Sequence, residues 1–282
     1  MIDVKTEIGT SFTPYYKYNK LISGIAIRND NWGFVLQAFV VDSIVGKQLL
    51  GTHFSRGGLM GRFTHSLLSY QSENITFGFG RAPIDWGQSR HHSIIQSGQT
   101  PPYDHARFKL SMGNLSGELL VGQLGSEVSD SKRITRLIAG HKLTGHFFDD
   151  KFEFQIGEQI IYTGENRNIE FFYLNPAVPY VFAVYDEDDL NINGYNNDNT
   201  MIFMSSRYRI KKYFSVFFEF IIDDYQVYDD PVQDMLGWKF GADGNLPISN
   251  YSLDWETEYT KIDSLSTISH NSVIGNRCHI SS

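Results

Sequence analysis

Apolar and polar residues alternate most clearly near position 220. Five apolar residues take the even positions of residues 214–223, whereas the odd positions are mixed and include Glu219. Successive side chains of a β-strand point to opposite faces, so this period of two predicts a strand with one apolar face. About ten residues in such a strand are enough to cross a membrane. The apolar set is Phe214, Val216, Phe218, Phe220 and Ile222.

The segment before this strand predicts its hairpin partner. Ile202, Met204, Tyr208 and Ile210 share a face, opposite Ser205, Arg207 and Arg209. A three-residue loop at residues 211–213 makes one side of the hairpin apolar throughout, whereas a two-residue loop would mix the faces. The longer loop pairs Ile210 with Phe214, Tyr208 with Val216, Met204 with Phe220 and Ile202 with Ile222.

Further alternating segments bring the strand candidates to about eleven. They include residues 75–80, 108–112, 152–156 and 251–260, and the last has Asp254, Glu256 and Glu258 on one face. Together they predict an all-β, antiparallel protein. A soluble β-sandwich would show the same alternation, with the acidic face toward water.

The lengths of the connections favour a barrel over a sandwich. Outer-membrane barrels alternate short periplasmic turns with longer external loops. From Arg107 onward the links fit, being alternately short and long. Before Arg107 the segments 41–74 and 81–106 are both long, which predicts a missed strand or a folded-in loop. The links from Arg107 are residues 113–114, 126–132, 149–150, 158–199, 211–212 and 224–233. We therefore predict a transmembrane β-barrel of the bacterial outer membrane, with residues 1–282 as one domain.

Composition and charge remove several classes of protein. The 282 residues include 21 Phe, 16 Tyr and 25 Gly, a mixture of strand formers and turn residues. A net charge of −8 without a long basic run argues against a nucleic-acid partner. No apolar stretch reaches the roughly 18 residues of a transmembrane helix. Cys278 is the one cysteine, so no internal disulfide is expected.

Both ends of the chain differ from those expected of an exported barrel. Residues 1–5 lack the charged-then-apolar pattern of a secretion signal. The chain ends in Ile280-Ser281-Ser282 rather than in a strand that closes on an aromatic residue. We therefore expect a fragment of a larger barrel, truncated at both ends, whose complete form acts as a monomer.

Two segments carry the candidate binding chemistry. Residues 80–90 bring Arg81, Asp85, Trp86 and Arg90 together after a strand, and such groups can stack on sugars and bind their hydroxyls. The alternative interpretation, which the sequence favours, is a structural Arg–Asp pair with Trp86 packed against the wall. The second segment offers Glu158, Tyr173 and Asn175.

Other polar clusters give weaker signals. Residues 186–198 are rich in Asp and Asn, but their spacing is not that of a calcium loop, so a solvated external loop is expected. His91-His92 lacks the spacing of a helical metal pair. No nucleophile and base form a recognisable catalytic motif. We expect no metal, no cofactor and no enzymatic activity.

Several runs resemble the capsule assembly Wzi family of outer-membrane proteins. The resemblance spans roughly residues 78–259 and rests on the order of the runs rather than on any single motif. The runs are Gly80-Arg81 to Trp86-Gly87, Pro101-Pro102-Tyr103-Asp104, Gly140-His141-Lys142-Leu143, Gly157 to Tyr162 and Ile169 to Tyr180. It implies a barrel that holds capsular polysaccharide at the cell surface, in contact with outer-membrane lipid, as a lectin-like anchor without catalysis. The candidate glycan contacts come from their chemistry, not from the family's pattern.

Two other functions stay open. A porin-like channel would use the acidic face at Asp254, Glu256 and Glu258, which should favour cations. A soluble β-sandwich enzyme acting on carbohydrate would use Asp85 and Glu158 as acid and base.

Overall fold

The computed structural model describes most of the chain as β-strands. The described residues are 2–12, 17–42, 56–90, 92–129, 132–180, 182, 198–223, 235–248, 251–262 and 271–281. Apart from a 3₁₀ turn at Phe172–Leu174, the regular elements among them are fourteen strands. These are β1 Ile2–Phe12, β2 Lys17–Arg28, β3 Trp32–Asp42, β4 Leu59–Gln71, β5 Ile75–Ala82, β6 Tyr103–Met112, β7 Leu115–Ser129, β8 Lys132–Phe147, β9 Phe152–Glu165, β10 Asn199–Lys211, β11 Phe214–Asp223, β12 Met235–Ile248, β13 Tyr251–Ile262 and β14 Asn271–Ser281.

The strands form one antiparallel sheet in sequence order. Every strand pairs with its neighbours in the chain, from β1 to β14. No pairing joins β1 to β14 within the part of the chain that the structure describes. None of the described helical residues could span a bilayer. The predicted antiparallel sheet is confirmed, with fourteen strands in place of about eleven.

The ambiguous region before Arg107 contains both features that the connection lengths predicted. Strand β4, Leu59–Gln71, lies within residues 41–74 and is the missed strand. Residues 83–102 form a long connection between β5 and β6. This connection folds onto the face of the sheet that carries Glu219, as its hydrogen bonds to that residue show.

The predicted register of the β10–β11 hairpin is confirmed except at its turn. Met204 pairs with Phe220, Ile202 with Ile222, and Tyr208 with Val216. Phe214, however, pairs with Lys211 rather than Ile210, because a bulge shifts the register between Arg209 and Lys211. The bulge lets a two-residue turn at Lys212-Tyr213 keep the apolar faces aligned.

The short and long connections lie at opposite ends of the sheet. Turns at residues 29–31, 72–74, 113–114, 148–151 and 212–213 define the short-turn end. Two predicted links differ from the structure. Residues 126–132 are mostly strand, since β7 runs to Ser129 and β8 starts at Lys132, and the link predicted at 158–199 begins only after β9 ends at Glu165. Polar residues at the end of a long strand resemble a loop in sequence. The predicted loops at 224–233 and, for the most part, 186–198 lie outside the described residues.

The two faces of the sheet differ in the way that a membrane barrel requires. The outer face exposes large apolar side chains, among them Phe79, Leu143, Ile156 and Phe240. The inner face buries charged groups, including Glu219, Lys239 and Asp243. Ring pairs mark the outer face near the short-turn end, at Trp32–Tyr70, Phe147–Phe152 and Phe214–Trp255. Aromatic girdles of this kind lie at the membrane interface.

Candidate functional site

Residues 83–102, named the inner loop here, are held on the inner face of the sheet. Ile84, Trp86 and Ile95 of the loop are buried in an apolar cluster. The wall contributes residues of β6 to β8, β10 and β11 to this cluster. They are Tyr103, Leu120, Ile138, Phe203 and Ile221. Because one loop contacts so many strands, the sheet curves around it.

Trp86 fixes the position of the inner loop against the inner face of the sheet. Its side chain is 1% exposed, and its indole Nε1 donates a hydrogen bond of 3.0 Å to Glu118 Oε1. The ring lies 5.8 Å from the Phe203 ring, with Lys142 Nζ 5.0 Å from its centroid. Gly140 gives it room, since a Cβ there would lie 2.9 Å from the indole.

Glu219 binds the backbone of the inner loop. This carboxylate is 0% exposed, yet it accepts hydrogen bonds from Gln88 N at 2.5 Å, Ser89 N at 2.8 Å and Ile94 N at 2.9 Å. The Ser93 hydroxyl donates to Trp86 O at 2.5 Å and lies 3.3 Å from the same carboxylate. A buried carboxylate is costly unless donors surround it, so Glu219 and the loop depend on each other.

A glycine allows this close approach. Gly87 has φ of +124°, and a Cβ there would lie 2.6 Å from Glu219 Oε1. Only glycine adopts this backbone region readily.

A network of charged side chains also binds the inner loop. Asp243, also 0% exposed, accepts bonds from Arg90 Nη2 at 3.2 Å and from Arg207 Nη1 at 2.7 Å. Ser89 Oγ donates to Glu258 at 3.1 Å, and Lys239 Nζ donates to the same carboxylate at 3.0 Å. Buried charges of both signs therefore neutralise one another around the loop.

The opposite wall also faces the inner loop. A cavity of about 240 Å³ separates β2 to β4 from the loop, lined by Ile22, Gln37 and His65 on the wall and by Gly98 and Thr100 on the loop. The loop is thus flanked by the sheet on two sides.

Residues 166–182, named the outer segment here, pack on the other face. Tyr173 and Tyr180 are buried against wall residues of β8 and β9. Those wall residues alternate in step with Leu143 and Ile156, which are exposed on the outer face. They are Leu137, Ala139, Ile160 and Tyr162.

Polar bonds fix the outer segment to the wall. Arg167 donates to Asp198 Oδ2 at 2.7 Å and to Glu170 Oε1 at 2.6 Å, while the Tyr173 hydroxyl donates to Asp198 Oδ2 at 2.7 Å. Tyr180 N donates to Glu158 Oε2 at 2.6 Å. Burial, aided by the Glu158 charge, raises the pKa of Tyr180, so its hydroxyl stays protonated and donates to Tyr173 O.

The structure separates the residues that the sequence grouped as glycan contacts. Asp85, Trp86 and Arg90 belong to the inner loop, and of these only Asp85 and Arg90 are exposed. Arg81 instead lies on the outer face, paired with Asp104 across β5 and β6. Its strand places it in step with Phe79, so the prediction that Arg81 joins the loop site is wrong. The favoured interpretation of Trp86, packing against the wall, agrees with its burial.

The second predicted group lies on the outer face. Glu158 and Tyr173 are bound within the outer segment's contacts, and Tyr173 is 1% exposed. Asn175 is exposed, with its Oδ1 accepting a hydrogen bond from Ala177 N at 3.1 Å. The sheet stands between Asp85 and Glu158, so they cannot act together as acid and base. No group of three or more His, Cys, Asp and Glu with metal-binding geometry occurs among the described residues.

Most residues that bind the inner loop were not among the sequence candidates, although Glu256 and Glu258 were named as a possible channel face. Glu118, Arg207, Lys239 and Asp243 contact the loop, as does Glu219. The one available signal was an acid within the otherwise apolar strand β11. That signal does not reveal its partner, which is 130 residues away in the chain.

Comparison with solved structures shows which known fold the chain shares. No model of a known protein family and no curated protein matches the chain. Among solved structures, it is similar to Wzi, a carbohydrate-binding β-barrel of the Escherichia coli outer membrane involved in group 1 capsule assembly. The TM-score is 0.55 at 14% identity, covering 86% of this chain and 50% of Wzi. The fold is that of an outer-membrane β-barrel. The chain spans half the length of Wzi.

A channel protein is also among the similar structures. An anion-selective porin from Comamonas acidovorans has a TM-score of 0.47 at 11% identity, covering 98% of this chain and 92% of the porin. A score this low does not bear on function. The choice between anchoring and conduction therefore depends on this chain's own residues.

Proposed function

We propose that the chain belongs to an outer-membrane protein that attaches extracellular polysaccharide to the cell surface by binding alone. The observation that carries the proposal is the binding of the inner loop by Glu219, a fully buried carboxylate that accepts three backbone hydrogen bonds from the loop. A loop bound in this way occupies the space that a diffusion channel needs. Wzi, whose fold is similar, is a carbohydrate-binding barrel.

The acidic strand face supports attachment rather than conduction. In a cation channel Glu256 and Glu258 would face the path of the ion. Here Glu258 accepts a hydrogen bond from the Ser89 hydroxyl and Glu256 accepts one from Arg90 N, both in the inner loop, and Glu258 also pairs with Lys239. These carboxylates hold the plug in place, which leaves little free charge to attract a permeating ion.

Two exposed side chains of the inner loop are the best candidates for the glycan contact. Asp85 is exposed beside Gly98, and Arg90 keeps 44% of its side chain exposed while bound to Asp243. A carboxylate and a guanidinium bind sugar hydroxyls and acidic sugars through charge-assisted hydrogen bonds. Trp86 and Tyr173 have no exposed ring face for stacking in this arrangement.

Glycan-array binding of the complete protein tests the proposal. We expect binding to polysaccharide that falls in the double variant D85N/R90Q and is unchanged in K151Q, which alters an exposed turn residue. In cells, we expect a strain that lacks the protein to retain less capsule at its surface. Absence of binding together with unchanged capsule would refute the proposal.

A further inference from the structure

A large groove lies on the outer face, beside the outer segment. Its volume is about 1010 Å³, against roughly 300–1,000 Å³ for typical ligand pockets. Phe34, Leu68, Phe79 and Val121 line its floor on strands β3 to β7, and Ile169 of the outer segment lines its side. The groove therefore opens on the face that an outer-membrane barrel turns toward lipid.

The outer segment itself has the properties of an element that contacts lipid. Two of its turns are closed by backbone hydrogen bonds, from Leu174 N to Phe171 O at 3.1 Å and from Phe182 N to Pro179 O at 3.1 Å. Irregular backbone is not exposed to lipid within the hydrocarbon region, so we place the segment at the membrane interface. Phe171 is 86% exposed and Phe182 is 64% exposed. Exposed phenylalanines are found on the apolar side of segments that lie in the membrane interface.

Polar groups border only one end of the groove. Arg133, Asn166 and Asn168 line the groove near the start of β8 and just beyond the end of β9, at the end of the sheet opposite the short turns. The long connections of outer-membrane barrels face the cell exterior. Apolar groups thus lie deeper in the membrane, and polar groups lie at the level of the outer-leaflet headgroups.

Arg133 places one exposed cation at the mouth of the groove. Two other charged residues of the lining are already paired, Asp104 with Arg81 and Arg167 with Asp198 and Glu170. No carboxylate among the described residues forms an ion pair with the exposed Arg133. Its guanidinium is therefore available to an anionic group at the mouth of the groove.

We propose that this groove binds one anionic lipid of the outer leaflet. An acyl chain lies along the floor formed by Phe34, Leu68 and Phe79, and the negatively charged headgroup meets Arg133. The outer segment forms the side of the site. The proposal rests on the outer-membrane fold and is independent of glycan binding.

Native mass spectrometry of the complete protein in detergent tests the site directly. The probes are phosphatidylglycerol and phosphatidylcholine with identical acyl chains, which differ in net charge. We expect one tightly bound phosphatidylglycerol, held about fivefold more strongly than phosphatidylcholine, as one arginine near a membrane surface provides. Equal retention of the two lipids would overturn the proposal.

Two variants distinguish the contribution of the Arg133 charge from that of the apolar groove. R133Q should remove the roughly fivefold preference but keep chain binding, whereas A106W should remove tight binding of both lipids, because Ala106 lines the groove. The controls are R209Q, at the short-turn end, and L246W, on the outer face of β12. Folding of each variant is checked by its heat-modifiable gel mobility. Unchanged binding in a folded A106W would contradict the site.

A crosslinking measurement covers the case in which A106W does not fold. A photoreactive residue at position 79 should crosslink to phosphatidylglycerol more than the same residue at position 240, another exposed position on the outer face. Equal crosslinking at the two positions would refute a specific site.

Discussion

The inner loop and the outer segment leave the same end of the sheet and fold onto opposite faces. The inner loop is held by buried carboxylates, above all Glu219 and Asp243. The outer segment is held by tyrosines packed on an apolar wall, with Arg167 and Asp198 as its main ion pair. The difference shows that the chemistry of each wall decides which connection covers it. Loss of a buried charge should therefore release the inner loop, and loss of apolar contact should release the outer segment.

The largest effect is expected from removing the Glu219 carboxylate. In E219A, the Gln88, Ser89 and Ile94 amides lose their acceptor. Leaving a buried donor without an acceptor costs about 1–3 kcal/mol for each group, and three amides are affected, so the inner loop should detach while the outer segment stays bound. Urea unfolding and protease cleavage within residues 83–102 measure this. E73A, an exposed turn variant, is the control, and equal stability of the two variants would contradict the comparison.

A smaller effect is expected from filling the space beside Trp86. A valine at position 140 would place a Cβ 2.9 Å from the indole, and overpacking of this kind costs about 1–3 kcal/mol. Urea unfolding of G140V should show this loss, together with a changed indole environment in near-ultraviolet circular dichroism. G125V is the matched control, because a Cβ at Gly125 meets nothing within 4 Å. If G140V were as stable as G125V, the packing of Trp86 against Gly140 would be contradicted.

The smallest effect is expected in the outer segment. Y173F keeps the ring packed but loses the hydrogen bond to Asp198 Oδ2, which is worth about 0.5–1.5 kcal/mol. Protease cleavage within residues 166–182 should rise slightly, and cleavage of the inner loop should not change. Y251F, at an exposed tyrosine on β13, serves as the control. Coupled release of both connections would show that they are not independent.

The sequence predicted the strands whose two faces differ most. The β10–β11 pairing was predictable because Ile202, Met204, Phe220 and Ile222 form one continuous apolar face. The early strands were harder to place. In β3, Phe34, Val35 and Leu36 are consecutive apolar residues, which hides the period of two.

The candidate site was less predictable than the fold. Arg81 and Trp86 are five residues apart in sequence, yet the end of β5 puts them on opposite faces of the sheet. Glu219 meets its partners only after β11 has been brought beside a loop 130 residues away. A sequence pattern records strand faces, whereas contacts of this kind depend on how the sheet curves.

Conductance of the complete protein in planar bilayers measures whether the inner loop plugs the barrel. We expect little current from the unaltered protein and a clear increase in E219A, in which the loop loses its buried anchor. A large, steady current through the unaltered protein, unchanged in E219A, would contradict this expectation.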